Sequence, residues 1–526
     1  MGKRKRDAVD GAGISRSRKE QTPASTPKQK PREKVPASQS KHSSQHVEAQ
    51  KVVDGTEHAA VAAAFAQEPA VATMQIITGS YERVLHGFTA AVPQSLITGQ
   101  DMSHAAQVSF TDTFLFNAHA SAIRCLALSP SSAGSPKITL ATGSTDERIN
   151  LYSLSTVPPP AKPNLPKLPA LRGTSIAESS KNKELGSLLH HSSSITALHF
   201  PTRSKLLSSA EDSMIAVTRT RDWIPLSTIQ APIPKPQGRP SGDTAAPGEV
   251  PAGINSFAVH PSMKLMVSVG KGERCMRLWN LVTGKKAGVL NFGKEVLGSV
   301  GEGRYGAGEG RRVVWDGKGD NFVVGFERGA VLFGIDSRPR AKIVPSPRTK
   351  LHQMHYLPGE RYPNILLIST EDGRILLYDA NPTTTPRNSN GKQGEISSCE
   401  LIAQLGGPAA GITGRVKDFE ILAMAPHGAG HPSSFAIITG SSDGSVRVWT
   451  LNGSELEASK EETDGKRAHS GYTAKQVGKL IGTYSTGTRI TCLTAFMMTG
   501  TPAEADEEEI VDEKSSSSDS DGGESM

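Results

Sequence analysis

From Met74 onward the chain is a succession of short apolar runs rich in Val, Ile and Leu, each ended by Gly, Ser, Asp or Pro. That alternation predicts strands and tight turns, and almost no stretch carries a long helical period. One unit recurs within it. An apolar run leads into a turn of small residues, then an acidic residue, and six positions later an aromatic residue or its substitute. The clearest copy is AIITGSSDGSVRVWTL, with Asp443 and Trp449. The same offset relates Glu82 to Phe88, Asp146 to Tyr152, Asp212 to Thr218, Glu273 to Trp279, Glu327 to Phe333 and Asp372 to Tyr378. Each copy is preceded by two more strand candidates, such as DTFLFNAH and IRCLALSP ahead of Asp146. Seven such units of four short strands predict an all-β, seven-bladed propeller.

The two ends of the pattern are complementary. The first copy, MQIITGSYERVLHGFTA, lacks its first two strands, and the last, GKLIGTYSTGTRITCLTAF, lacks its last two. Joined, they complete the seventh blade and remove the open edge a ring would otherwise leave. Consecutive acidic markers stand 45 to 71 residues apart, where a minimal blade needs about 40–45. The excess is expected as loop inserts at Val157–Lys183, Ala231–Val250, Gly293–Gly310, Pro382–Ser398 and Asn452–Gln476, all polar or rich in Pro and Gly. The propeller is therefore placed at residues 74–500. Residues 1–73 form an unfolded basic tail, and residues 501–526 an unfolded acidic, Ser-rich one.

His119 and Asp146 occupy the GH…WD positions of a WD repeat. Together with Asp212, Trp279, Asp372, Asp443 and Trp449 they are expected to hold blades together. The stretches FNAHASAIRCLALSP, LATGSTDERINLYSL, LLSSAEDSMIAVTRTRDW and AVHPSMKLMVSVGKGERCMRLWNLVTGKKA, with GSYERVLHGFTA at the start and SSDGSVRVW and ITCLTAF at the end, carry a more specific likeness. Over about residues 74–496 the chain resembles the p21-activated-kinase-interacting and maintenance-of-killer WD-repeat proteins. That resemblance implies a nucleolar, non-enzymatic factor in early large-ribosomal-subunit assembly, with pre-ribosomal assembly factors and pre-rRNA as partners. In animals it also implies binding and restraint of p21-activated protein kinase.

Composition narrows the remaining choices. The net charge of +7 conceals opposed ends: thirteen Lys and Arg against five Asp and Glu up to residue 52, and one against ten after residue 503. Such tails are solvated interaction arms. Lys3, Arg4, Lys5 and Arg6, followed by Arg16, Arg18 and Lys19, have the two-part pattern of a nuclear localisation signal; an RNA-binding basic tail reads the same way. Ser515, Ser516, Ser517, Ser518 and Ser520 lie among acidic residues, the setting that acid-directed kinases favour; a solubilising tail is the alternative. Cys125, Cys275, Cys399 and Cys492 show no paired spacing, so no disulfide framework or zinc ribbon is expected; Cys125 and Cys492 read as small buried apolar residues. No apolar run approaches the ~18 residues of a membrane span.

Candidate chemistry is sparse. Gly301–Gly306 matches GxGxxG, but the strand RRVVW follows where a dinucleotide site needs a helix. No P-loop, HExxH or GxSxG sequence occurs, so neither a cofactor nor a small-molecule substrate is expected. Arg83, Arg148, Arg274, Arg328 and Arg374 lie one or two residues beyond an acidic marker, and Arg415 and Arg489 just before innermost strands. In a propeller these positions share one face, and a ring of guanidinium groups there suits phosphates or carboxylates. Exposed turns that merely tolerate charge are the alternative. Three binding roles remain open: a pre-ribosome scaffold, a kinase-binding regulator, and a ubiquitin-ligase substrate receptor. The last lacks its usual Arg two residues after a blade Trp, since Trp449 and Trp279 are followed by Thr450-Leu451 and Asn280-Leu281.

Overall fold

Each acidic marker falls in the turn between the second and third strands of a four-stranded antiparallel sheet, and seven such sheets form a ring. The computed structural model describes residues 71–98, 107–132, 135–158, 181–233, 252–302, 306–381, 396–424, 434–463 and 474–499, all within the unit Gln67–Met526. The innermost strands, from the first blade to the seventh, are Ile490–Met497, Ile123–Leu128, Ile195–Thr202, Ile254–Val259, Arg312–Trp315, Leu351–Tyr356 and Val416–Met424, and each neighbours the next around a central channel. The chain is thus a seven-bladed WD-type propeller.

The marker partners explain why one offset recurs. Phe88, Tyr152, Thr218, Trp279, Phe333, Tyr378 and Trp449 all lie on the third strand, and all are buried. At each of them the register with the fourth strand slips by a bulge, in all seven blades. A bulge adds local right-handed twist, so each blade turns its outer strand in the same way. Apolar side chains of adjacent blades then interdigitate. In the fifth blade Phe322 stacks on Phe333 with ring centroids 5.4 Å apart, an arrangement that adds to plain area burial.

Ring closure differs from the expected pairing of two strands with two. The first blade takes three strands from the N-terminal side, Val71–Ser80, Val84–Pro93 and Ser109–Asn117, and a single inner strand, Ile490–Met497, from the other end. Lys479–Ser485 is the outer strand of the seventh blade. The run DTFLFNAH therefore edges the first blade rather than opening the second. The closing contact is tight: Gly79 pairs with Cys492, and a Cβ on Gly79 would stand 2.7 Å from both Cys492 Sγ and Ile123 Cγ2. Cys492 is buried as expected, whereas Cys125 is only partly so; all four cysteines are free. The Cys125 sulfur itself is packed against Gly143, and its burial pushes the thiol up to about 12, so it is not a ready nucleophile.

Three inserts are more than loops. Within Gly293–Gly310 lies the helix Lys294–Ser299, whose Val296 and Leu297, with Val300 beyond, pack against Phe292 and Phe326. Asn452–Gln476 contains the helix Gly453–Thr463, which buries Leu456 completely beside Trp449 and Val477. The end of Pro382–Ser398 adds the short strand Ser397–Ser398, parallel to Pro339–Ile343, at the edge of the fifth blade. Most of Val157–Lys183 and Ala231–Val250 lies outside the described residues.

Candidate interaction face

The marker turns and the segments entering the inner strands are joined by backbone hydrogen bonds, which places them on one face. Tyr81 N donates to Arg489 O (2.9 Å), Thr145 N to Ala122 O (3.1 Å), Glu211 N to Ser194 O (3.0 Å), Lys271 N to Gly253 O (2.9 Å), Glu371 N to Lys350 O (2.9 Å) and Ser442 N to Arg415 O (2.9 Å).

The acidic markers themselves organise these turns. Asp146 accepts from Ala120 N (2.9 Å) and Arg148 N (3.1 Å) and meets His119 Nδ1 at 3.1 Å, while His119 Nε2 meets Thr142 Oγ1 at 2.7 Å. Burial lowers the His119 pKa against the pull of Asp146. Burial also opposes ionisation of Asp146, but the donated N–H groups and His119 outweigh it and hold the carboxyl below its usual range. Both ring nitrogens of His119 are engaged inside one blade, so no nucleophile is served. The third blade repeats the device with His191, which meets Asp212 at 3.0 Å and Ser208 at 2.8 Å. Sequence reading named Asp212 but missed His191; its place before the inner strand, matching that of His119, was the available signal. Trp279 Nε1 donates to Ser268 Oγ at 2.7 Å, and Glu273 pairs with Arg277 across the same turn. Asp443 accepts from Ser445 N at 2.9 Å.

The predicted arginines divide. Arg83, Arg148, Arg274, Arg328, Arg415 and Arg489 are exposed on the shared face. Arg274 donates to Gly306 O (2.9 Å) and Ala307 O (3.0 Å), tying the fourth-blade turn to the insert. Arg415 pairs with Glu371 at 3.3 Å, and the Arg489 guanidinium lies 5.5 Å from the Tyr81 ring centroid. Arg374 does not belong with them. It is 0% exposed, bonded to Asp372 Oδ2 through Nε (3.0 Å) and Nη2 (2.8 Å), to Ser346 O through Nη1 (2.8 Å) and to Pro347 O through Nη2 (3.3 Å). Its role is to bind the sixth-blade turn to the preceding loop.

At the channel mouth the inner strands are stitched by a polar belt. Thr491 Oγ1 donates to Ile123 O, Arg124 to Glu211 (3.0 Å), Asn255 Nδ2 to Gly310 O (2.9 Å), Arg312 Nε to His352 O (3.2 Å) and Gln353 Nε2 to Asp418 (3.3 Å). Leu493 N closes the belt on Asp418 Oδ2 at 3.0 Å. Farther along, a cavity of about 590 Å³ is walled by Leu126, Leu198, Phe200 and Phe496 and holds His355, Asp418 and Glu420. Burial, with Asp418 second, pushes Glu420 up to about 7; burial likewise raises Asp418 and lowers His355 to about 4.

Among the described residues no His, Cys, Asp and Glu cluster could hold a metal ion, and no helix is long and apolar enough to cross a membrane. Gly301–Gly306 falls between the helix Lys294–Ser299 and the strand Arg312–Trp315, the reverse of a dinucleotide-binding turn. Lys3, Arg4, Lys5, Arg6, Arg16, Arg18 and Lys19, and Ser515, Ser516, Ser517, Ser518 and Ser520, lie outside the described residues.

Blade geometry and turn chemistry together define a WD-repeat propeller protein, and the WD domain, G-beta repeat family matches at residues 110–153, 182–217 and 417–450. Within that class the chain is similar to Protein MAK11 of Saccharomyces cerevisiae, 28% identical over 73% of this chain and 79% of the relative. It is also similar to p21-activated protein kinase-interacting protein 1-like of Xenopus laevis, 22% identical over 81% and 83%, and to Shk1 kinase-binding protein 15 of Schizosaccharomyces pombe, 23% identical over 58% and 68%. These relatives match the family whose resemblance the sequence carries.

Proposed function

We propose that this chain is a non-enzymatic scaffold of large-ribosomal-subunit assembly, working in the nucleus and nucleolus and binding assembly factors, pre-rRNA or both. The observation that carries the reading is the similarity to MAK11 across most of both chains, joined to the ribosome-assembly role that the family resemblance implies. A rigid ring whose acidic turn residues are consumed in holding its own blades leaves its faces for binding rather than chemistry. The six exposed arginines supply one such face. The basic cluster Lys3–Arg6 with Arg16, Arg18 and Lys19 serves import, and phosphorylation at Ser515–Ser518 and Ser520 adds charge to the acidic end.

A second reading is favoured by the names of two relatives, one a p21-activated protein kinase-interacting protein and one a Shk1 kinase-binding protein. In it the same face restrains a protein kinase. Affinity purification of the tagged chain from growing cells, with RNA and protein read together, separates the two. Precursor large-subunit rRNA with assembly factors is the expected result; a kinase recovered without rRNA overturns the scaffold reading and establishes the other.

A further inference from the structure

Of the six exposed arginines, Arg415 and Arg489 stand where positive charge is most concentrated, at the mouth of the channel. In six of the seven blades the inner strand opens with an irregularity at its second residue, so that one residue, or two in the sixth blade, is inserted unpaired near the channel mouth. In the second blade that residue is Arg124, in the third Thr196, in the fourth Asn255, in the seventh Lys417 and in the first Thr491. In the sixth it is His352 with Gln353, and the fifth blade brings Arg311 and Arg312 to the same level. Bulges re-aim side chains, and this set contains cations and neutral groups but no carboxylate.

The cations crowd at one sector. Lys417 Nζ lies 3.4 Å from His352 Nε2. Burial depresses the Lys417 ammonium, partly offset by Glu371, with Arg415, Arg489 and Lys350 adding to the depression. Burial followed by Lys417, Arg312, Arg415 and Lys350 holds His352 down at about 4. Two members have acidic partners, Lys350 with Glu327 (3.0 Å) and Arg415 with Glu371 (3.3 Å). Arg312, Lys417 and Arg489 form no ion pair with a carboxylate among the described residues. Like charges gathered with only partial compensation, from Glu371 near Lys417 and Asp418 near Arg312, cost stability, and the arrangement is repaid when an anion sits among them.

The surroundings select the anion. Outside the mouth the marker turns carry Glu82, Asp146, Asp212, Glu273, Glu327, Asp372 and Asp443. A nucleic-acid backbone laid across this face would carry its charge over those carboxylates. An anion on a narrow stem, entering at the centre, meets Arg312, Lys417 and Arg489, while the carboxylates of that sector are already engaged, Glu327 by Lys350, Glu371 by Arg415 and Asp418 by Gln353 and the Leu493 N–H. We propose that the sector formed by Arg312, Lys417 and Arg489 is a docking site for an acidic peptide segment of a protein partner, gripping side-chain carboxylates or phosphoserine. The proposal deepens the scaffold reading by naming what that face holds.

The test uses the purified full-length chain and fluorescence anisotropy with four labelled probes: an Asp/Ser dodecapeptide, its doubly phosphorylated form, a neutral Gly/Ser dodecapeptide and a twelve-nucleotide single-stranded RNA. The variants are Lys417→Gln alone, Lys417→Gln with Arg312→Gln, and the rim control Arg83→Gln with Arg148→Gln, each checked by thermal melting. Because Lys417 is already strained by its neighbours, Lys417→Gln keeps or raises the melting temperature, so it remains informative if the pair fails to fold. The expected result is that an anionic peptide binds and that losing the mouth cations weakens it by about tenfold or more, the loss of one to two charge-assisted contacts. The rim control leaves binding within about twofold, as rim charges do. The two peptide arms tell carboxylate from phosphoserine. Equal weakening by the rim control, no binding of either anionic peptide, or RNA binding as the only mouth-dependent signal each overturns the proposal. Purification of the unmutated chain from cells keeps the two ideas apart. Precursor rRNA absent from the unmutated chain defeats the scaffold reading, whatever the peptides do; precursors present while the peptides fail to bind defeat the docking site alone.

Discussion

Replacing Arg374 by Met is the sharpest test of how the sixth blade is held. The guanidinium is wholly buried and makes two bonds to the Asp372 carboxylate and two to backbone carbonyls of Ser346 and Pro347. Met fills much of the same volume, so the apolar part of the burial is largely kept. What is lost is the partner of a carboxylate that is itself 16% exposed, along with the donors to two carbonyls. Removing one member of a buried pair costs about 3–5 kcal/mol, and the partial access of Asp372 to water puts the expectation at about 3–4 kcal/mol. A ring of roughly 400 residues has an unfolding entropy of about 0.8 kcal/mol/K, so the melting temperature should fall by about 4–5 °C. Scanning calorimetry of the purified chain measures this. Adding Asp372→Asn should recover part of the loss, because the orphaned charge goes with it, and the double-mutant cycle reads the coupling directly. A Met variant that melts within 1 °C of the parent but loses a binding partner would sink the reasoning, since it would mean that the guanidinium faces solvent after all.

Glu420, raised to about 7 by burial, favours the folded state below the ordinary carboxylate range and withdraws that support as pH rises from about 4.5 to about 7, by at most about 3 kcal/mol; Glu420→Gln should flatten the melting temperature between pH 5 and 8 and raise it at pH 8, and identical slopes for the two chains would refute this. Asp146, held below its usual range, stabilises above that range and loses the effect as pH falls through its lowered value; His119, also lowered, adds a decline that begins below about pH 6.5. Asp146→Ala should therefore cost about 2 kcal/mol at pH 7 and lose less on acidification than the parent, as urea titrations at pH 7 and pH 4 would show. Gly79→Ala drives a methyl group into Cys492 and Ile123, with an expected cost of about 1–3 kcal/mol. Ending the chain at Thr486 removes the inner strand Ile490–Met497 and leaves Val71–Ser80 as an open edge; the product should aggregate, and a soluble monomer in gel filtration with unchanged melting would contradict the closure.

The ring was legible because one local geometry is used seven times. The acidic marker must accept turn N–H groups, and the residue six positions on must fill the space at the bulge, so both leave a fixed offset. Insert helices were hidden by flanking glycines, yet Phe292, Val296, Leu297 and Val300 stand at helical spacing and bury together. The closing blade was misjudged for a different reason. Sequence copies are cut where similarity begins, whereas a blade is cut where hydrogen bonding changes sheets, and the run Ser109–Asn117 lies on the other side of that boundary from the copy it precedes.

The arginines show where a repeat stops being informative. Arg148 and Arg374 stand at the same distance from their markers, so turn periodicity assigns them one role. Arg148 begins the approach to Ile149–Ser155 with nothing over its side chain, and it is exposed. Arg374 opens its strand beneath the loop through Ser346 and Pro347, whose carbonyls capture the guanidinium. The difference lies in a segment 27 residues or more upstream, outside the repeating unit. Sequence offset thus fixes where a side chain leaves the backbone, while what covers it depends on the irregular connections between blades. The cations at the channel mouth make the same point in reverse. Arg312, Lys417 and Arg489 share no marker offset, and only the curvature of the ring brings the fifth, seventh and first blades to one opening. Binding faces on a propeller are assembled across repeats, so they must be read from the ring rather than from the unit.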